Sequence, residues 1–300
     1  MTHTTPVTSS SSFVHTTLTT LPLPPRTGAI TALAWSEDNT HLAAVSASGM
    51  LVIWQARSGS CLLQQRITRS RLCAVAWSQQ GRSVLLGSAH GTFSVFHLTT
   101  RTLVHSTTFA DPVTQIVRSP NVVDARFFVR SGAALHLFTQ GQAEPRTVRY
   151  STPLVDACWT PDGQSLALVC ANGLVEVCDA RTWRVLWRHA DVLSTALRVT
   201  WDATGGRLAL GMADGTLQMH DLRTGHGSPP LPLSRFPIQS LRWGERYLVA
   251  GSEAEVTFWN DAQALAHRQQ TRTLPAFTFD SDGAILATAW PHAIALTTLA

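Results

Sequence analysis

Twelve histidines and nineteen acidic residues are the side chains from which this chain could build a hydrolytic or metal site. His41, His90, His97, His105, His136 and His220 keep no common spacing, and no HExxH pair occurs to hold zinc on one helix face. There is no GxSxG nucleophile elbow, phosphate-cradling glycine loop or dinucleotide fingerprint. His189 and Asp191 fall in one predicted turn, without a third group at ligand spacing. The five cysteines, Cys61, Cys73, Cys158, Cys170 and Cys178, are odd in number and contain no CxxC pair. A disulfide framework is therefore not predicted, and a reducing compartment is. Three of them lie close together, but each replaces a small or apolar residue of a strand pattern, so all five read as buried, inert thiols. These residues predict no catalytic group, no metal, no cofactor and no enzyme.

The remaining chemistry is charge. All 23 basic residues are arginine and the net charge is +4. The arginines are scattered through many turns rather than gathered in a run, so nucleic acid is not the expected partner. No apolar segment approaches the length of about 20 residues that spans a bilayer, and no basic stretch precedes an apolar core at the N-terminus. A soluble, cytoplasmic protein without membrane contact is the expectation.

The elements that position these residues follow from a repeat. Trp35, Trp77, Trp159, Trp201 and Trp243 are spaced by one or two multiples of about 42 residues, which marks a stack of supersecondary units. Within Ile30–Gly59, three apolar runs are separated by the turns Ser36–Asn39 and Ala47–Gly49, the pattern of three antiparallel strands. A fourth, outer strand is predicted near Cys61–Ile67. Equivalent runs begin at Leu72, Val113 (with Arg118 where Trp is expected), near Cys158, before Trp201, at Ile238 and at Phe277. Pro161-Asp162-Gly163, Asn172-Gly173 and Asp214-Gly215 supply the turns.

The seventh unit ends the chain one strand short. Phe13–Leu18 has strand character and stands alone before the Pro-rich link Leu21–Pro25, so it is predicted to supply the missing outer strand and remove the open edge. The expected fold is all-β: a closed seven-bladed β-propeller of four-stranded antiparallel blades. Residues 1–12 are expected as a flexible Thr/Ser-rich tail, and 13–300 as a single propeller domain.

Leu33-Ala34-Trp35-Ser36, Ser46 with Ile53-Trp54 and Gly59, Trp159-Thr160-Pro161-Asp162-Gly163, Cys178-Asp179 and His220-Asp221 resemble the WD40 repeat family. The full Trp-Asp pair is absent, as is the Gly-His pair before each first strand; Ser46 and Trp54 keep part of the family's hydrogen-bonded set. The resemblance implies a non-catalytic scaffold that binds one or more proteins or peptides, without a small-molecule cofactor. It also implies that the loops entering each first strand share one face with the tight hairpin turns. On that rim the candidate contacts are Arg69, Arg71, His90, Arg130, Asp214, Arg235 and Arg272, a mixture whose arginines tolerate desolvation. A second candidate patch is the outer strand around Trp183 and Trp187, interleaved with arginine. The alternatives are a hydrolase with its site in the central funnel, and an RNA-binding propeller using its Arg-rich surface.

Overall fold

The structure is a computed structural model that describes residues 15–299 apart from 79, 122–125, 140–143, 191–193, 245–246, 254, 261–264, 271–275, 281–282 and 291. Its strands form seven antiparallel sheets, each a blade of a β-propeller. Blade one, from the inside out, is Ile30–Trp35, His41–Ser46, Met50–Gln55 and Cys61–Arg66. Blade two follows as Leu72–Trp77, Ser83–Ser88, Thr92–His97 and Thr102–Thr108; blade three as Val113–Arg118, Phe127–Ser131, Ala134–Phe138 and Arg146–Arg149. Blade four is Leu154–Trp159, Ser165–Cys170, Leu174–Asp179 and Val185–Ala190; blade six is Ser240–Trp243, Tyr247–Gly251, Glu255–Asn260 and Leu265–Gln270.

Blade five has Ala196–Trp201, Arg207–Met212 and Thr216–Asp221, but its outer strand is split. His226–Gly227 and Leu231–Pro232 each pair with Thr216–Asp221, and between them Pro229 and Pro230 have no N–H to continue the ladder. Blade seven is Phe277–Phe279, Ile285–Ala289 and Ala293–Leu299, completed by His15–Pro22. The closing strand expected at Phe13–Leu18 thus runs four residues further, and Phe13 lies outside the described residues, as does the tail expected over 1–12. Leu21 and Pro22 belong to the strand rather than to a link. An outer strand is bonded along one edge only, so a terminal proline is tolerated there.

The core is a ring of seams rather than a centre. Seven apolar clusters each join two consecutive blades, and the seventh, with Leu21, Ile294 and Leu296 against Leu42 and Trp54, joins the last blade to the first. Middle strands are therefore apolar on both sides: Leu42, Ala43, Ala44 and Val45 are all fully buried. Each buried Leu or Val contributes roughly 1.5–3 kcal/mol. Outer strands face water on one side and alternate accordingly, as in Cys61–Arg66.

Polar links cross the same seams. Trp77 Nε1 donates to the Ala34 carbonyl (2.9 Å) and Trp159 Nε1 to the Val117 carbonyl (3.2 Å), so each indole ties its inner strand to the preceding blade. His41, Arg126 and Arg207, each at or beside the start of a second strand, lie against Trp77, Trp159 and Trp243 of the next blade at 6.0, 5.4 and 5.1 Å. At the departure from the Trp pattern, Arg118 reaches past blade two to Glu37 of blade one (2.6 Å). Trp54 Nε1 donates to the Pro22 carbonyl of the closing strand (3.2 Å), whereas Ser46 Oγ accepts from the Met50 amide (3.2 Å). Ser46 and Trp54 therefore do not share the hydrogen-bonded set expected of them.

Candidate functional site: the rim and the channel wall

One face of the ring carries both the loops entering the first strands and the hairpins between second and third strands. Backbone bonds fix the pairing: Ala47 donates to Ala29, Ala89 to Arg71, Ala171 to Pro153 and Ala213 to Thr195. The hairpin glycines also press on the following lead-in loop. A Cβ on Gly91 would lie 2.3 Å from the Phe109 carbonyl oxygen, and one on Gly215 2.2 Å from that of Ser234. Their φ of +79° and +82° and this close approach both require glycine.

Arg69, Arg71, His90, Asp214 and Arg235 are all exposed on this face. They form two groups. Arg69 and Arg71 flank Ser70, whose hydroxyl meets His90 Nδ1, at blade two. Asp214 and Arg235 sit where blade five meets blade six, beside Phe236, which is 42% exposed. Asp214 also caps its own turn, accepting from the Thr216 amide (2.9 Å) and hydroxyl (2.7 Å). Phe236 was missed in the sequence because Phe236-Pro237 reads there only as a lead-in segment. Arg272 lies outside the described residues, as does Asp191.

Arg130 is not on the rim. It stands opposite Gln115 in blade three, and its guanidinium turns inward to Gln115 Oε1 (3.0 Å) and the Leu154 carbonyl. Trp187 of the outer strand and Trp183 of the turn before it are also turned inward. Trp187 is half-buried against blade five, stacked on His189 at 5.6 Å and tilted against His220 at 5.3 Å. Trp183 packs on the seam between blades three and four, with the Arg146 guanidinium 5.8 Å from its ring. The apolar side chains this segment leaves exposed are Val185 and Leu186.

Inner strands of all seven blades line a central cavity of about 700 Å³. Its wall is uneven. At one inward position blades one and two place Ala32 and Ala74, where blades three, four and five place Gln115, Asp156 and Arg198. Asp156 is buried and accepts three N–H bonds: Gln115 Nε2 (2.8 Å) and the Ala157 amide (3.0 Å) on Oδ1, and the Val199 amide (3.0 Å) on Oδ2. One carboxylate thereby joins blades three, four and five. Arg198 donates to the Gln239 and Leu197 carbonyls, and Arg242 to the Leu241 carbonyl (2.8 Å). Burial pushes the Arg130 guanidinium down to about 10, opposed by Asp156 and reinforced by Arg198, so Arg130 stays cationic at neutral pH. In the sequence these residues look like the solvent side of ordinary strand alternation, and only their shared place in successive inner strands could have singled them out.

Among the described residues, the thiol that lines the channel is not activated. Cys73 lines it, but burial raises its thiol above the usual range, and the other four thiols are raised for the same reason. Among the described residues no group of three His, Cys, Asp or Glu could hold a metal ion. All five cysteines are free; Cys170 and Cys178 are buried as expected, whereas Cys61, first residue of an outer strand, is exposed.

Residues 15–55 match the family model described as "WD domain, G-beta repeat". The matched segment is not one blade: it joins the outer strand of blade seven to the inner three strands of blade one. The sequence unit is thus offset from the structural one, and that offset is what locks the ring. The chain is a seven-bladed β-propeller, and the segment in which its last blade passes into its first matches the WD40 repeat model.

Proposed function

We propose that this protein is a non-catalytic scaffold in the cytoplasm that binds a protein or peptide partner on the rim face. WD40 propellers generally act as protein-interaction scaffolds. The observation that carries the reading is the grouping of exposed Arg69, Arg71 and His90, and of Arg235 with Phe236, on a face held by hairpins that press on the next blade. Arginine beside an exposed aromatic ring is the composition that dominates binding energy at protein interfaces. Raised thiols and a saturated Asp156 favour binding over catalysis in the channel. Free cysteines favour a reducing compartment.

The test is quantitative capture from native lysate with three forms of the protein. Proteins retained by the wild type should be lost with Arg69→Glu/Arg71→Glu and kept with Arg57→Glu/Arg82→Glu, whose residues lie in exposed turns on the opposite face. Full retention by the rim variant would remove the rim as the contact surface.

A further inference from the structure

We infer that the channel wall of blades three to six is a binding site for a small anion, a molecule carrying phosphate or carboxylate groups. Arg71 of the rim also lines this cavity, on blade two; the site proposed here is the wall of blades three to six and does not depend on the partner proposed for the rim.

Three observations carry it. First, Arg130, Arg198 and Arg242 come from blades three, five and six to one cavity of about 700 Å³, the size of a small-molecule pocket. Second, their charge is only partly offset. The carboxylate among them, Asp156, has its oxygens taken by Gln115 and two backbone amides rather than by guanidinium groups. The arginines instead donate to backbone carbonyls and to one glutamine. A guanidinium has five N–H donors. Arg130 and Arg198 each engage two of them and Arg242 one, so most of the fork-shaped donor edges are left for a ligand.

Third, the cations repel one another. Burial pushes the Arg130 and Arg198 guanidinium groups below their usual range; Asp156 opposes this, and Arg198 acting on Arg130 and Arg242 on Arg198 add to it. Holding like charges together in a partly desolvated wall costs stability that an oxyanion returns through short, charge-assisted, bidentate hydrogen bonds. Blades one and two place Ala32 and Ala74 level with Arg198, and Ala34 and Ala76 level with Arg242, so the fold accepts small side chains at those two positions. The cavity volume favours a compact molecule over a chain segment.

The test is calorimetric titration of the full chain with tripolyphosphate and, separately, citrate. The expected result is one saturable site per chain for at least one of them. Binding should weaken roughly tenfold or more in Arg242→Gln and be unchanged in the opposite-face Arg57→Gln. Saturation by tripolyphosphate alone assigns a phosphate ligand, and by citrate alone a carboxylate. Phenylglyoxal mapping on the wild type removes dependence on variant folding: the bound anion should slow modification of Arg198 and Arg242 but not of Arg57. No saturation by either anion, equal weakening by Arg57→Gln, unprotected channel arginines, or binding confined to a polyglutamate peptide would each overturn the assignment.

Discussion

Blades one and two keep the repeat intact, whereas blades three to six depart from it at the positions that face the channel and at one seam. In the first pair, inner strands end in Trp35 and Trp77 and present Ala32 and Ala74 inward. In the second group, Arg118 replaces a tryptophan, Gln115, Asp156 and Arg198 replace the alanines, and Arg242 adds another charge. Both groups form complete four-layered blades and well-packed seams, with blade five's outer strand split. What the difference teaches is that a propeller needs its seams, while its channel positions are free to carry other properties.

One of those substitutions has become structural. Asp156→Ala would leave the buried Val199 amide without its acceptor and cut the link between blades four and five, while Gln115 keeps its bonds to the Ala157 backbone. A loss of about 3 kcal/mol or more is expected, measured by urea unfolding, against little change for a substitution such as Ala74→Ser on the intact side.

A smaller effect separates blade four from blade one at their seams. Trp54 is fully buried in blade one, and Gly59 turns the chain behind it with φ +70°. Blade four reverses the sizes: Cys178 is fully buried, and Trp183 takes the left-handed turn at φ +66° and packs against the same seam. A tryptophan there carries about 1–2 kcal/mol of backbone strain, offset by the volume it fills. Cys178→Trp should overpack the seam by about 1–3 kcal/mol, and Trp183→Gly should open it. The double variant, which writes blade one's pattern into blade four, should lie above the sum of the two by at least about 1 kcal/mol in a double-mutant cycle. Strict additivity would show that the two sites do not share one space.

The smallest effect belongs to a turn that both groups keep. Ser36 donates to Asp38 Oδ1 (2.6 Å), and Thr160 repeats the contact with Asp162 in blade four (2.6 Å). The Ser36 hydroxyl, helped by Thr40 and His41 and opposed by burial, holds the Asp38 carboxyl down to about 2. A carboxyl lowered on folding stabilises above its unfolded value of about 4 and loses that contribution as pH falls toward 2. The melting temperature should fall through this window, and Asp38→Asn should make the fall slightly shallower. Asp38 is exposed, so the change is small.

The fold was legible because strand propensity, turn residues and the Trp period all point to one unit, and because an orphan strand at one end matched a missing one at the other. What escaped the sequence has physical causes. Leu21-Pro22 reads as a linker because proline breaks most strands, but an outer strand needs hydrogen bonds on one edge only. The split strand of blade five depends on two prolines whose neighbours still find the ladder. Arg198 and Arg242 occupy places where a single strand predicts solvent; only the closed ring turns seven such places toward one another. Arg130 sits two residues before its hairpin turn, near enough in sequence to be taken for rim, and its inward turn is set by Gln115 and Leu154. The exposed rim residues were readable, because they belong to turns that any closed propeller must present.

The central claim is that the channel arginines serve binding and not the fold, and the unfolding free energy of Arg242→Leu tests it most directly. Arg242 makes one hydrogen bond, to the neighbouring Leu241 carbonyl, and replacing a partly buried charge by an apolar side chain is often neutral or stabilising. The expected result is a stability equal to or above the wild type, within about 1 kcal/mol. A loss approaching that of Asp156→Ala would contradict the claim and make Arg242 part of the framework.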